Sequence, residues 1–293
     1  MRAAVRDDEK GMILVNVLLF VAIASGMVML MINREELALD RAIRAREAAQ
    51  ALSVVRGGEV SAIVALRRDA IEAPESDHAA EPWAALAESG APIRGGTFDM
   101  AIADAQGRYN INNVMSPQLS DRIMFRSIAQ AAGLSDEQIA GAVALVREYG
   151  PITDLRPIRL SGIEPERAAR LEALVTALPG HTDININAAP PAVLTVLFRD
   201  PSVVDRLLAL RRRQGFIARA DLSDMNQTVP AGAGFTSDNF WVRTAATIGG
   251  TRQEEAALVQ RIREDKRIRV ATVERWRNSA VPPEVPPFAS PAS

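Results

Sequence analysis

The chain has 293 residues, 48% of them hydrophobic, with 34 basic and 36 acidic side chains, a net charge of −2 and no cysteine. That length supports one large core or two smaller ones. The charge balance gives no global pull toward nucleic acid, and the missing thiols exclude disulfides, thiolate metal sites and a cysteine nucleophile.

No charge appears from Met12 to Ile32. At about 1.5 Å per helical residue the run spans roughly 30 Å, the hydrocarbon thickness of a bilayer. It is apolar all round, unlike a two-faced core helix. The leader mixes Arg2, Arg6 and Lys10 with Asp7, Asp8 and Glu9, and the small triplet Ala24-Ser25-Gly26 is followed by six more apolar residues. Neither feature suits a cleaved secretory signal. Residues 12–32 therefore read as a transmembrane helix, with one amide, Asn16, near its start. Residues 33–73 contain no proline, and Leu37, Ile43, Ala48, Leu52, Val55, Val60 and Val64 recur as an apolar stripe among charged residues. This spacing predicts an amphipathic continuation of the same helix, with Gly57-Gly58 as its weak point.

Pro74, Pro82 and Gly90 mark a loop with a short helix near 82–88. Phe98, Met100 and Ile102 then alternate before a turn at Gln106-Gly107 and a return through Tyr109 and Ile111, so residues 74–113 read as a loop and a β-hairpin. The next pattern occurs twice. "YNINN" and "DININAA" each lead into a proline-initiated helix and then a second helix, which ends at Gly150 or Gly215. Ser135 and Gln138 form a capping box, and a further helix after Pro165 carries Ala168, Leu171, Leu174, Val175 and Leu178 on one side. Residues 114–235 thus read as an inserted α-domain of two related units, about 109–180 and 183–225. Asn110, Asn112, Asn185 and Asn187 are expected to act as turn and cap residues, because asparagine tolerates left-handed backbone and its amide bonds locally. The period then changes to two, and residues 236–278 give three antiparallel strands near 239–248, 254–263 and 267–276, with a turn at Gly249-Gly250. Residues 279–293 hold Pro282, Pro283, Pro286, Pro287 and Pro291 and are expected to be disordered. The fold class is α+β.

The residues suggest no enzyme chemistry. His78 and His181 lie far apart in loops, with no zinc spacing, nucleophile elbow or phosphate loop. The paired units resemble SAM-like or helix-hairpin-helix domains, which opens a second reading: a membrane-anchored DNA-binding protein of a competence-type uptake system. Arg211, Arg212, Arg213 and Arg219 would contact phosphate. That hairpin needs a Gly-hydrophobic-Gly turn, whereas Gly133-Leu134-Ser135 and Gly162-Ile163-Glu164 lack the second glycine. Nucleic acid is therefore not expected as a partner.

"KGMILVNVLLF" resembles the start of a type IV pilin or pseudopilin. The resemblance implies a leader of residues 1–11, cleavage by prepilin peptidase after Gly11, and Met12 as an N-methylated amino terminus. Asn16 becomes mature position five, where most members carry Glu. A carboxylate in lipid needs a charged partner, thought to be the amino terminus of the subunit above, so a neutral residue suits a subunit with none above it. With "GRYNINNV", "DLRPIRLSGIEPERAARLEALVTALP", "ININAAPPAVLTVL" and "SDNFWVRTAATIGG" in this order, the chain resembles the type II secretion minor pseudopilin K family. That implies a long N-terminal helix on a small antiparallel sheet bearing a large inserted α-domain. It also implies a non-enzymatic cap at the pseudopilus tip, helping to initiate assembly. The implied partners are I- and J-type minor pseudopilins, the major pseudopilin filament, prepilin peptidase and the bacterial inner membrane, with the bulk of the chain in the periplasm. No cofactor is required; family members bind calcium in the helical domain, for which Asp224, Asn226 and Asp238 could supply oxygens.

Overall fold

The computed structural model describes residues 7–264, 267–282 and 284–289. The chain divides into two compact units, Met1–Gln50 and Ala51–Ser293. The first α-helix, α1, runs from Asp7 to Glu72. In the first unit it leaves its large apolar side chains in the open, from Leu14 through Ile32. Residues 1–6 of the expected leader lie outside the described residues.

In the second unit, α1 buries Ala51, Val55, Glu59, Ala62, Leu66, Asp69 and Ala70. These steps of three and four residues form a stripe, but not the expected one: Val60 and Val64 are exposed. At Gly58 the helix lies very close to the sheet. A Cβ on Gly58 would come within 2.7 Å of the Phe98 ring and 2.9 Å of the Thr244 methyl group. The glycine that weakens the helix as a sequence is what lets it approach.

The sheet begins with β1 (Glu88–Ile93) and β2 (Gly96–Asp104). The insertion comes next as β3 (Tyr109–Asn110), α2 (Leu119–Ala131), α3 (Asp136–Tyr149), α4 (Pro165–Glu172) and β4 (Val175–Thr176). It continues through β5 (Ile184–Asn185), α5 (Pro191–Phe198), α6 (Pro201–Gln214), α7 (Arg219–Asp224) and β6 (Ala233–Gly234). The chain then returns to the sheet with β7 (Asn239–Ile248), β8 (Thr251–Glu264) and β9 (Arg267–Arg277). The five-stranded sheet has the order β1-β2-β7-β8-β9 with every pair antiparallel. Each half of the insertion opens with a two-residue strand that pairs in parallel with the strand closing it, β3 with β4 and β5 with β6. Both halves share one apolar core, which includes Ile128, Leu171, Leu194 and Leu207.

Three expectations are corrected. The hairpin partner of β2 is β1, upstream, with the turn at Gly95 in the left-handed region (φ +84°); Tyr109 and Asn110 belong to the insertion instead. The segment Glu88–Ile93 escapes notice because "ESGAPI" contains a glycine and a proline, which an edge strand tolerates. The helix after Pro165 stops at Glu172, and Val175 enters a strand, although Ala168, Leu171, Leu174, Val175 and Leu178 are all buried. The proline-rich tail is not disordered over residues 284–289. Val285 is buried, Glu284 Oε1 accepts the Leu155 N–H at 3.2 Å, and Arg243 donates to the Pro286 carbonyl at 3.1 Å.

Candidate anchor and assembly site

Two features could carry function, and the first is the apolar segment. Between Leu14 and Ile32 the large side chains are 46–71% exposed. The helix reaches a mean hydropathy of 2.5 over a membrane-length window. Apolar area of this extent in water is unfavourable at roughly 25 cal/mol per Å², whereas a bilayer accepts it and the helix satisfies its own backbone. Asn16 lies exposed on this segment, a neutral amide where an unpaired charge would be costly. Gly11 and Met12 also fall within α1.

The second feature is a buried polar junction in the second unit, where α1, the sheet and the insertion meet. Arg261, on β8, lies on the same face as the buried Ala257 and Val259. Its guanidinium donates to Asp69 Oδ2 at 2.5 Å, to Asp77 Oδ1, and to the Leu66 carbonyl at 3.1 Å, and it stacks on Phe240 at 4.5 Å. Asp77 Oδ2 accepts the Ser237 N–H at 2.7 Å. The Ser237 hydroxyl donates to Asp104 Oδ2 at 2.6 Å, and Asn185 donates to that same oxygen at 2.6 Å and to the Asp77 carbonyl at 2.9 Å. Gln106 binds both ends of the insertion's second half: its Nε2 donates to the Asp183 carbonyl at 3.0 Å, and its Oε1 accepts from the N–H groups of Asp238 and Asn239.

Desolvation governs the charges here. Burial pushes the Asp104 carboxyl up to about 7, aided by the nearby Asp77 charge and opposed by the Ser237, Gln106 and Asn185 donors that hold its anion. Burial and the neighbouring Glu81 raise Asp69 to about 6, opposed by Arg261. Glu81 is likewise raised by burial, although its Oε2 accepts from Trp83 Nε1 at 2.7 Å and from the His78 N–H at 3.0 Å. Burial pushes His78 down, its ring stacked on Phe216 at 4.6 Å. Every carboxylate in the junction is tied to donors from other residues, an arrangement suited to holding elements together.

The asparagine pairs occupy matching places in the two halves. Asn110 Oδ1 accepts from the Asn112 and Leu178 N–H groups, both at 3.1 Å. Asn185 Oδ1 accepts from the Asn187 N–H at 2.9 Å. Asn112 binds both backbone groups of Ile152, and Asn187 accepts from the Ile217 N–H. Of the arginines expected to meet phosphate, Arg211 is turned inward to the Asn187 and Ala189 carbonyls, at 3.1 and 2.6 Å, and Arg219 lies over the Phe235 ring at 5.2 Å.

The expected calcium donors do not fit a cation as they stand. Asp238 Oδ1 accepts from Arg263 at 3.2 Å, so a guanidinium already faces it, while Asp224 and Asn226 are exposed at the end of α7. Among the described residues, the three acids whose ligand atoms lie together are Asp69, Asp77 and Glu81, and their cation is Arg261. Of this junction Asn185 was named from the sequence, as a turn residue; Arg261 and its carboxylates were not. The signal that could have found it is a charge at an inward position: Arg261 in phase with Val259, and Asp69 three residues after Leu66.

No protein-family model matches the chain. The chain is 26% identical over 307 aligned positions to the type II secretion system protein K of Pseudomonas aeruginosa, covering 89% of this chain and 91% of that protein. Its fold matches a chain in the crystal structure of the GspK-GspI-GspJ complex from the enterotoxigenic Escherichia coli type 2 secretion system. That match has a TM-score of 0.61 and 19% identity, over 82% of this chain and 99% of the other. Sequence similarity over 89% of the chain and fold similarity over 82% both point to the K-type minor pseudopilins of type II secretion. The two features are distinct. The apolar helix has the length and composition of a single-pass anchor, and the polar junction joins the inserted helical part to the sheet.

Proposed function

We propose that this chain caps the tip of a type II secretion pseudopilus and helps start its assembly with I- and J-type minor pseudopilins. In this reading prepilin peptidase cuts between Gly11 and Met12 and methylates Met12. The apolar helix then holds the protein in the bacterial inner membrane, with the sheet and insertion in the periplasm, next to the major pseudopilin filament. The work is mechanical, by helix packing in lipid and surface fit outside it, and needs no cofactor and no nucleic acid. The observation that carries the tip position is Asn16, a neutral side chain at the fifth position of the processed helix. A carboxylate there would need a cation from a subunit above, and a cap has none. The GspK-GspI-GspJ fold match supports the I- and J-type partners, and the P. aeruginosa relative supports the type II secretion reading.

Amino-terminal sequencing of the protein from membranes tests the processing step, with Met12 expected as the first residue. A chain that still begins at Met1, or starts beyond Gly26, overturns it. Asn16→Glu tests the tip position: the variant is expected to insert but to impair pseudopilus initiation in cells, and unchanged secretion would remove the support that Asn16 gives.

A further inference from the structure

β9 is the last strand of the sheet, so one edge of Arg267–Arg277 has no strand beside it among the described residues. An open strand edge offers N–H and C=O groups to another chain unless something blunts it. Here a groove of about 650 Å³ runs between that strand and the end of α1, bounded by Ile63, Val64, Arg67 and Ile71 on the helix and residues 267–270 on the strand. The apolar side chains beside it are in the open, with Val60 58%, Val64 55% and Ile71 64% exposed. Val60 and Val64 are residues that the helical stripe read from sequence turned inward, and the sheet does not cover them.

The charges around the groove are unbalanced in one direction. On β7, β8 and β9 the arginines Arg243, Arg252, Arg261, Arg263, Arg275 and Arg277 each hold a carboxylate. Arg67, Arg267 and Arg269, which line the groove, make no ion pair among the described residues. This sheet pairs its other strand arginines with acids, so three cations without an acidic partner among the described residues, beside exposed Val and Ile, point to a complement that is both acidic and apolar.

We propose that this groove receives an extended, acidic and apolar segment of a partner pseudopilin, which adds to β9 as a further strand. Its backbone takes the free edge, its carboxylates meet Arg67, Arg267 and Arg269, and its apolar side chains cover Val64 and Ile71. The inference rests on reading the chain as a minor pseudopilin. A bilayer surface of anionic lipid would satisfy the arginines but leave the strand edge unpaired, which separates the two occupants.

The test uses the full chain in detergent, with the I- and J-type minor pseudopilins as probes. The triple variant R67E/R267E/R269E is expected to keep its thermal midpoint and to capture the partner at least about tenfold less well. Where the reversal lowers the midpoint, R267Q/R269Q reads the same loss with less repulsion. Hydrogen exchange of the wild-type complex is expected to slow at alternate amides of β9. Capture by the variants at the wild-type level, or β9 amides exchanging equally fast with and without the partner, overturns the groove while leaving the pseudopilin reading intact. Binding of phosphatidylglycerol vesicles that depends on the same arginines, without partner protection of β9, also overturns it in favour of lipid. If the wild-type chain captures neither probe, the partner reading fails and the groove proposal with it.

Discussion

Asn112 holds Ile152 by both of its backbone groups: Oδ1 accepts the N–H at 3.0 Å and Nδ2 donates to the carbonyl at 2.9 Å. The second half of the insertion repeats the device with less, Asn187 Oδ1 taking the Ile217 N–H at 2.6 Å while its own Nδ2 stays without a partner. Removing a side chain that satisfies buried backbone costs the lost bonds and also the stranded groups, roughly 2–4 kcal/mol where several are involved and about 1–2 for one. Asn112 also donates to the Leu178 carbonyl. Asn112→Ala is therefore expected to destabilise the protein more than Asn187→Ala in chemical denaturation. The reverse order would contradict this account of the pair.

Arg261 is the cation paired with both Asp69 and Asp77 among the described ion pairs, and all three side chains are buried. Deleting it strands both charges, and breaking a buried pair from one side costs roughly 3–5 kcal/mol. Arg261→Met should lower the thermal midpoint severely. Asp69→Asn should do less, because burial already disfavours the Asp69 anion and the substitution leaves Asp77 with its guanidinium partner. Equal effects of the two substitutions would show that the network does not depend on the guanidinium.

The same groups set a pH profile. Asp104 and Asp69 bind protons more tightly folded than unfolded, their values raised to about 7 and about 6 by burial. Their contribution is complete below the unfolded carboxylate range and is lost as pH rises through 6 to 7. Glu59 has the opposite sign: it is lowered by Arg275 and Thr272 despite burial, so its contribution is lost as pH falls through its folded value. Stability is expected to be greatest in mildly acidic buffer and to fall toward about pH 7.5. Asp104→Asn should flatten that alkaline limb in melts recorded across the range. A limb of unchanged slope in the variant assigns the proton elsewhere.

Periodic features were legible in the sequence. The alternation of β7 to β9 follows the two-residue period of a strand, the asparagine motif occurs twice, and the run Met12–Ile32 stands out by its unbroken length. The partner of β2 was hidden because edge strands need no apolar alternation, and the short strands of the insertion carry too few residues to show one. The polar junction was hidden for another reason. Asp69, Asp77, Asp104, Ser237 and Arg261 come from five separate stretches, and only the folded insertion brings Asn185 and Ser237 back to the end of α1. Charges in an apolar phase were visible at Arg261 and Asp69, but not that the two meet.

Gly57 and Gly58 looked alike in sequence, as one weak point in a helix, and the structure separates them. Nothing lies within 4 Å of a Cβ placed on Gly57, whereas one on Gly58 meets Phe98 and Thr244. Gly57→Ala removes a helix-disfavouring residue at no steric cost and should stabilise by up to about 1 kcal/mol. Gly58→Ala gains the same propensity but must push α1 off the sheet, an overpacking cost of roughly 1–3 kcal/mol. Opposite signs in paired thermal melts are the expected result, and two stabilising alanines would mean the helix stands farther from β2 and β7.

The proline-rich tail fastens the insertion to the sheet. Val285 is buried with Leu178 from the insertion and with Trp241 and Leu258 from the sheet, in one apolar cluster. Glu284 reaches Leu155, and Phe288 lies between Arg243 at 4.7 Å and Arg252 at 5.5 Å. Prolines reduce the number of conformations the unfolded tail gives up, which lowers the entropic cost of docking a segment without regular structure. Burying a valine is worth roughly 1.5–3 kcal/mol against leaving it exposed, and an arginine over an aromatic face adds about 0.5–1. Val285→Asp is thus expected to lower the thermal midpoint and to make the segment near Leu155 more open to protease, with the β2–β7 pairing untouched. If cleavage near Leu155 is unaltered while the midpoint falls, the tail stabilises the sheet alone and does not fasten the insertion to it.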